Sequence, residues 1–222
     1  MKQSDWDVII VGAGPTGGRT ATHLASLGHR VLMLEEHTEI GRPFQCAGLV
    51  TPKALHEVGL YDSVLEEIDG ARIHGPSGTL VPVGTDGKIR TYVVCRKKFD
   101  QGVVQQAMES GASLWLNSQP RSADITPEKV TLNIESDGKE MTLNCKLLIG
   151  CDGAHSWTRR YFKMGRPKEM MIGFKSKFWA TRVQIVGLKC TVDPKSPLDF
   201  LHGLYPLVLA VIELVFGQLQ NG

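Results

Sequence analysis

An α/β fold is predicted by four features read in order along the chain. The continuous apolar run DVIIV (7–11) leads into the glycine-rich turn GAGPTGG, and a segment with apolar residues at helical spacing follows. A second apolar run, RVLMLEE (30–36), closes the pattern. Short apolar runs without alternation mark strands covered on both faces. Strand, turn, helix and strand together make a βαβ unit, and such crossovers are right-handed.

Each element has a local cause. In TATHLASLGH, Ala21, Leu24, Ala25 and Leu27 recur on one helical face, and Gly28 stands where a glycine ends a helix. The regular alternation stops after Glu36. GRPFQCAGLVTP (41–52) reads as loop, and 53–68 as one or two short helices. ARIHGPSGTLVPV (71–83) reads as a hairpin about Pro-Ser-Gly, and IRTYVVCR (89–96) as a strand. KKFDQGVVQQAMESGA (97–112) is an amphipathic helix with a glycine stop, and 113–117 a strand. Residues 129–145 form a hairpin about Asp137-Gly138, and KLLIG (146–150) is a further buried strand leading into CDGAHSWTRRYF. Beyond Gly165, segments near 172–183 and 207–216 are strand-like, with PKSP (194–197) between them.

The bulk properties narrow the function classes. A length of 222 residues suits one large domain or a domain and a half. Composition is 42% hydrophobic and 22% charged, as in soluble globular chains. A formal net charge of +2 gives no electrostatic basis for a nucleic-acid partner. Cys46, Cys95, Cys145, Cys151 and Cys190 form neither CxxC nor a zinc spacing, and the seven histidines form no metal pair, so no metal site is expected. With an odd cysteine count and no secretory leader, a reducing, cytoplasmic setting is expected. The longest apolar stretch, 204–216, contains Glu213 and is shorter than the ~20 residues a spanning helix needs.

The motifs point to a dinucleotide. Gly12, Gly14 and Gly17 fall in GxGxxG register. The first glycine permits the tight turn, the second lets backbone approach a pyrophosphate, and the third allows helix to pack on strand. The phosphates then sit at a helix N-terminus. Glu35 ends the second strand, where an acid accepts hydrogen bonds from ribose hydroxyls. The chain then leaves the βα pattern for loop and hairpin and returns with a strand ending in Asp152-Gly153. A carboxylate at the C-terminal end of a strand lies where α/β sheets bind ligands. One long cofactor spanning both segments fits this order, and no second GxGxxG provides a nicotinamide domain, so FAD is favoured over NAD. The plainer reading of CDGAHS is a turn capping a strand.

Five stretches carry a family resemblance: VIIVGAGPTGG (8–18), LEEHTEIGRPFQCAG (34–48), ARIHGPSG (71–78), CRKKFDQ (95–101) and LLIGCDGAHSWTRR (147–160). Over residues 7 to 165 the chain resembles the geranylgeranyl reductase family, digeranylgeranylglycerophospholipid reductases among them, within the FAD proteins related to aromatic hydroxylases. The resemblance implies a Rossmann-like FAD-binding domain of the glutathione-reductase/aromatic-hydroxylase type. That domain would span 1–165, with hairpin insertions at about 69–95 on the substrate side. An incomplete β-rich substrate domain would occupy 166–222. Gly12, Gly14, Pro15 and Gly17 would line the pyrophosphate, and Glu35 would hold the adenosine ribose. Cys46, Ala47 and Gly48 would lie on the flavin side, Arg96 would match a flavin-contacting arginine, and Asp152 and Gly153 would match the Asp-Gly motif. Without the resemblance, Arg96 reads as one of a solvated run with Lys97 and Lys98.

The resemblance also implies chemistry: FAD-dependent reduction of isolated C=C bonds in geranylgeranyl chains of lipid or pigment precursors. Cys46 is the catalytic candidate. A thiol of pKa ~8.5 is a weak acid toward an alkene, so the expected role is pocket lining or proton relay, with simple packing of the loop as the alternative. The prenyl lipid or pigment is the expected partner, with NAD(P)H or a small iron–sulfur protein as electron donor. Peripheral membrane contact is a further expectation. Arg159, Arg160, Lys163, Arg166 and Lys168 would either guide an anionic headgroup or form a solvated face. The family's Trp-Phe-Pro motif and late Gly-Asp-Ala segment do not occur here, so a truncated chain is expected. Two other readings stand beside this one: a flavin-dependent aromatic monooxygenase, and a non-catalytic flavin-binding remnant.

Overall fold

The computed structural model describes residues 5–43, 46–74, 79–84, 86–166, 188–192 and 210–213. The chain divides into two compact units: Met1–Gln45 with Arg96–Arg166, and Cys46–Cys95 with Pro167–Gly222.

The first unit is built on the predicted βαβ core. Strand β1 (Asp5–Val11) leads through the glycine turn into helix α1 (Pro15–Ser26) and then β2 (Val31–Leu34). Helix α3 (Arg96–Glu109) and β8 (Ser113–Trp115) follow after the second unit's first segment. Strands β9 (Ser118–Ile125), β10 (Val130–Ser136) and β11 (Lys139–Gly150) and the short helix α4 (Trp157–Tyr161) complete it. The sheet order is β8-β2-β1-β11-β10-β9. β8, β2, β1 and β11 run parallel, and β10 and β9 extend the sheet antiparallel.

Strand alternation sorts the core into two clusters. Val8, Ile10, Val31 and Met33 pack with Ala21 and Ala25 of α1 and Val104 and Ala107 of α3. Ile9, Leu32 and Leu34 point the other way and pack with Val130, Leu132, Ile134, Leu143 and Cys145. A Cβ on Gly18 would stand 2.9 Å from Val103 Cγ1, so glycine there sets how closely α1 approaches α3.

Strand β11 differs from expectation. It is one twelve-residue strand, where an arm ending at 145 and a separate strand at 146–150 were predicted. It changes partners along its length: Lys139 to Cys145 pair with β10, and Asn144 to Gly150 pair with β1. Among the described residues its second half pairs with β1 alone, and 146–150 is not buried, with Leu147 51% exposed. The hairpin turn is where it was expected, with Asp137 and Gly138 at φ +48° and +74°, the two positive values that a two-residue turn of this kind requires.

In the second unit, β3 (Leu49–Val50), β7 (Thr91–Val94) and β4 (Val64–Ile68) form an antiparallel sheet in the order β3-β7-β4. Helix α2 (Pro52–Val58) is capped by Thr51, whose hydroxyl accepts from the Ala54 N–H, and it ends at Gly59 in the left-handed region. The predicted helices over 53–68 therefore stop early: a 3-10 turn (Tyr61–Ser63) follows, and 64–68 is strand. An irregular register between Val64 and Glu66 breaks the alternation that would have marked it. β5 (Ala71–His74) and β6 (Leu80–Val83) pair antiparallel as the expected hairpin, whose 75–78 turn lies outside the described residues. β12 (Leu188–Val192) joins β5 in parallel and β13 (Ala210–Glu213) antiparallel. The strand expected at 172–183 and the PKSP segment lie outside the described residues.

Two predictions follow from the first unit. Leu132 is fully buried, and Leu132→Ala is expected to cost about 2–5 kcal/mol in urea unfolding. Leu147→Ala, at an exposed site, should cost far less; equal costs would contradict the packing described. Asp7 bridges strands: Lys146 Nζ lies 2.8 Å from Oδ1, and the Arg30 N–H donates to Oδ2 at 2.8 Å. The Lys146 hydrogen bond and then the Arg30 N–H hold this carboxyl down to about 2. A depressed carboxyl stabilises above its unfolded value, and that stabilisation is lost as pH falls through the folded value. The advantage of wild type over Asp7→Asn should be constant from pH 7 to about 4 and shrink from about 4 to 2. Denaturant midpoints measured across that range check it.

Candidate functional site

The glycine turn is shaped by backbone crossing backbone. Gly12 has φ +94°, and a Cβ on it would stand 2.5 Å from the Cys151 carbonyl oxygen and 2.9 Å from Asp152 Cα. A Cβ on Gly17 would run into the Gly12 carbonyl. Gly14 is different, because a Cβ there would meet nothing within 4 Å. It is the N-cap of α1, it supplies no side-chain cap, and Pro15 occupies the first helical turn, which carries no acid. The start of α1 thus has no side-chain cap and no acid, and the positive end of its dipole favours an anion.

Glu35 follows directly on β2 and is fixed at both main-chain and side-chain level. Its N–H donates to the Trp115 carbonyl at 2.9 Å, and its carbonyl accepts from the Ser118 N–H at 2.8 Å. Its side chain, 13% exposed, turns back to the glycine turn, where Oε2 accepts from the Ala13 N–H at 3.0 Å. Oε1 accepts from the His37 N–H at 3.2 Å and lies 2.6 Å from His37 Nδ1. His37 carried no role in the sequence reading, which weighed histidines only as metal pairs. The signal that could have found it is its place two residues beyond the strand-end acid.

The end of β11 closes the same turn from the other side. The Cys151 N–H donates to the Val11 carbonyl at 2.7 Å. Asp152 Oδ2 accepts from the N–H and the hydroxyl of Thr158, at 2.9 and 3.0 Å. Ser156 caps α4, its hydroxyl accepting from the Arg159 N–H. One oxygen of Asp152 thus anchors the start of α4. Gly153 has φ +71° with open space at its α-carbon. Burial, with a smaller push from the Asp152 charge, raises the Cys151 thiol above its usual range, while a Thr20 hydrogen bond opposes the shift.

Arg96 opens α3 and forms a two-pronged pair with Asp100, Nε and one terminal nitrogen each 2.9 Å from a carboxylate oxygen. Burial pushes the Asp100 carboxyl up, against the pull of Arg96. Lys97 pairs with Glu39, and Gly41 packs against the Lys97 backbone. Of the three basic residues at 96–98, only Lys98 is exposed.

Cys46, Ala47 and Gly48 belong to the second unit. Gly48 has φ +87°, and a Cβ on it would collide with the Val94 carbonyl. The Val94 N–H donates to the Gly48 carbonyl at 2.8 Å, so the loop is seated on the end of β7. The Gly48 N–H donates to Cys46 Sγ at 3.5 Å, and the thiol is half-buried. The structure therefore gathers Gly12, Gly14, Pro15, Gly17, Glu35, Asp152 and Gly153 at one end of the parallel strands. Arg96 stands at the head of α3, and Cys46 to Gly48 sit in their own unit. Among the described residues no group of three or more His, Cys, Asp or Glu could hold a metal ion.

The chain matches the FAD binding domain family over residues 5–194. It is 34% identical over 197 residues to digeranylgeranylglycerophospholipid reductase 1 of Methanopyrus kandleri, covering 86% of this chain and 50% of that protein. It is 32% identical over 206 residues to the digeranylgeranylglycerophospholipid reductase of Methanocella arvoryzae, covering 90% of this chain and 51% of that protein. The chain thus spans about half the length of the curated relatives it matches. Among solved structures, a geranylgeranyl bacteriochlorophyll reductase-like protein of Thermoplasma acidophilum superposes with a TM-score of 0.75 at 23% identity, covering 92% of this chain and 60% of that one. The p-nitrophenol 4-monooxygenase of Pseudomonas putida gives 0.62 at 21% identity, covering 72% and 44%. At these identities the structural likeness shows the fold alone. With the family match running through the glycine turn, Glu35 and Asp152, the chain belongs to the FAD-binding-domain family, and its sequence is similar to that of the digeranylgeranylglycerophospholipid reductases.

Proposed function

We propose that this chain is the dinucleotide-holding part of an FAD-dependent oxidoreductase that reduces C=C bonds in the geranylgeranyl chains of lipid or pigment precursors. The observation that carries the reading is the 32–34% identity to digeranylgeranylglycerophospholipid reductases across most of this chain. The aromatic-monooxygenase alternative has the shared fold on its side, at 21% identity.

The residues fit FAD. The uncapped N-terminus of α1 at Gly14 suits a pyrophosphate, with Gly12 and Gly17 letting the turn pass close to β11 and α1 and Pro15 presetting the first helical turn. A carboxylate has about four acceptor directions. Glu35 uses three, on Ala13 and His37, and keeps one for a ribose hydroxyl. Asp152 and Gly153, at the strand end, and Arg96 are assigned to the rest of the cofactor. In its reduced form FAD supplies a hydride donor.

An isolated alkene is a poor hydride acceptor, so the reaction also needs a proton. Cys46 is assigned a pocket-lining or proton-relay role, because a thiol is too weak an acid to protonate an alkene alone. Residues 1–165, apart from the 69–95 hairpin, are assigned to the cofactor, and 166–222 with that hairpin to the prenyl substrate. NAD(P)H or a small iron–sulfur protein supplies the electrons. Among the described residues no helix is long and apolar enough to cross a membrane, and contact with the surface of a lipid bilayer goes with a lipid substrate.

The reading makes three linked expectations. Full-length protein containing this chain, supplied with reductant under anaerobic conditions, should add hydrogen to a digeranylgeranyl lipid, seen by mass spectrometry. Oxygen consumption with a phenolic substrate, and no change in the lipid, would favour the monooxygenase instead. Cys46→Ser in the same protein should slow turnover, and unchanged turnover would remove Cys46 from the chemistry. Gly17→Ala forces backbone against side chain; it should cost about 1–3 kcal/mol of stability and weaken FAD about tenfold or more. Thermal denaturation and flavin fluorescence measure the two effects.

A further inference from the structure

We propose that His37 is a positioning residue for the adenosine ribose: its ring holds the Glu35 carboxylate in the orientation that receives a ribose hydroxyl. The inference rests on the FAD reading above and adds a residue that neither the glycine motif nor the Asp-Gly motif contains. A carboxylate that must receive a hydroxyl in one orientation needs its other acceptor directions filled. Ala13 fills one from the glycine turn, at 3.0 Å. The short contact of His37 Nδ1 with Oε1, 2.6 Å, and the His37 N–H fill two more. Two groups of one residue thus grip one oxygen, while the other oxygen is tied to the turn beside which a pyrophosphate would sit.

The His37 backbone is itself immobilised. Its carbonyl accepts from the Asn117 N–H at 3.1 Å, just as the flanking Glu35 is bonded to Trp115 and Ser118. The ring is 38% exposed and the carboxylate 13%, so the pair is partly withdrawn from water. Because Glu35 only accepts, Nδ1 must carry the proton in this pair. A donor that is fixed, short and partly shielded orients a carboxylate far better than water does.

The test uses the 222-residue chain and three variants, His37→Ala, His37→Asn and Glu35→Gln. FAD and its 2′-deoxyadenosine analogue are titrated by flavin fluorescence. Wild type should prefer FAD. His37→Ala should weaken FAD about tenfold and leave the deoxy analogue nearly unchanged. His37→Asn, whose amide nitrogen can stand where Nδ1 stands, should recover most of the loss. Glu35→Gln should remove the preference for FAD altogether. The proposal is overturned if His37→Ala binds FAD as wild type does, or if it loses FAD and the analogue equally, which would mark general damage to the turn. A wild-type chain that binds neither flavin overturns the FAD reading itself, and this proposal with it.

Discussion

The first unit depends on one close crossing of main chain. The turn after β1 passes the end of β11 with no room for a Cβ on Gly12, and the first turn of α1 passes Gly12 with none on Gly17. Backbone atoms cannot yield as a side-chain tip can, so these two positions are glycine for packing. Gly14 is glycine for another reason. A Cβ there would meet nothing within 4 Å, and it stands at the N-cap of α1, where the helix dipole favours an anion. One motif therefore contains two glycines set by packing and one, at the helix N-cap, on which packing sets no limit.

That crossing fixes what surrounds it. Parallel pairing of β1 with the second half of β11 sets Val11 beside Gly150, and Cys151 donates across to Val11. Asp152 is thereby delivered to the same end of the sheet as Glu35, although the two are far apart in sequence. β11 can do this because its first half is held by β10 and its second by β1. The carboxylates then take opposite tasks. Asp152 bonds forward to Thr158 and begins α4, while Glu35 bonds backward to Ala13 and steadies the turn.

Much of this was legible in sequence, and the failures have physical causes. β1, α1 and β2 were readable because strands covered on both faces carry uninterrupted apolar runs. The Asp137-Gly138 hairpin was readable from turn chemistry. β9 was missed because SQPRSADI has no apolar alternation and contains Pro120; it is an edge strand, where a missing ladder N–H is tolerated. The exposure of 146–150 was misjudged because an apolar run does not reveal that a strand loses its neighbour halfway. The glycines, Glu35 and Asp152 could be named from spacing, since strand ends in a βαβ unit are predictable. The Arg96–Asp100 pair was missed because the helix was read from 97, which left Arg96 on the strand before it, and the grip of His37 on Glu35 depends on side-chain orientation as well as on spacing.

The central claim is that the glycine turn, Glu35 and the Asp152 strand end together hold FAD. The most direct measurement is the visible absorption spectrum of the purified chain, with and without added FAD, before and after anaerobic reduction. The account predicts flavin bands that stay with the protein through gel filtration and bleach on reduction. A colourless protein that takes up no FAD would contradict it.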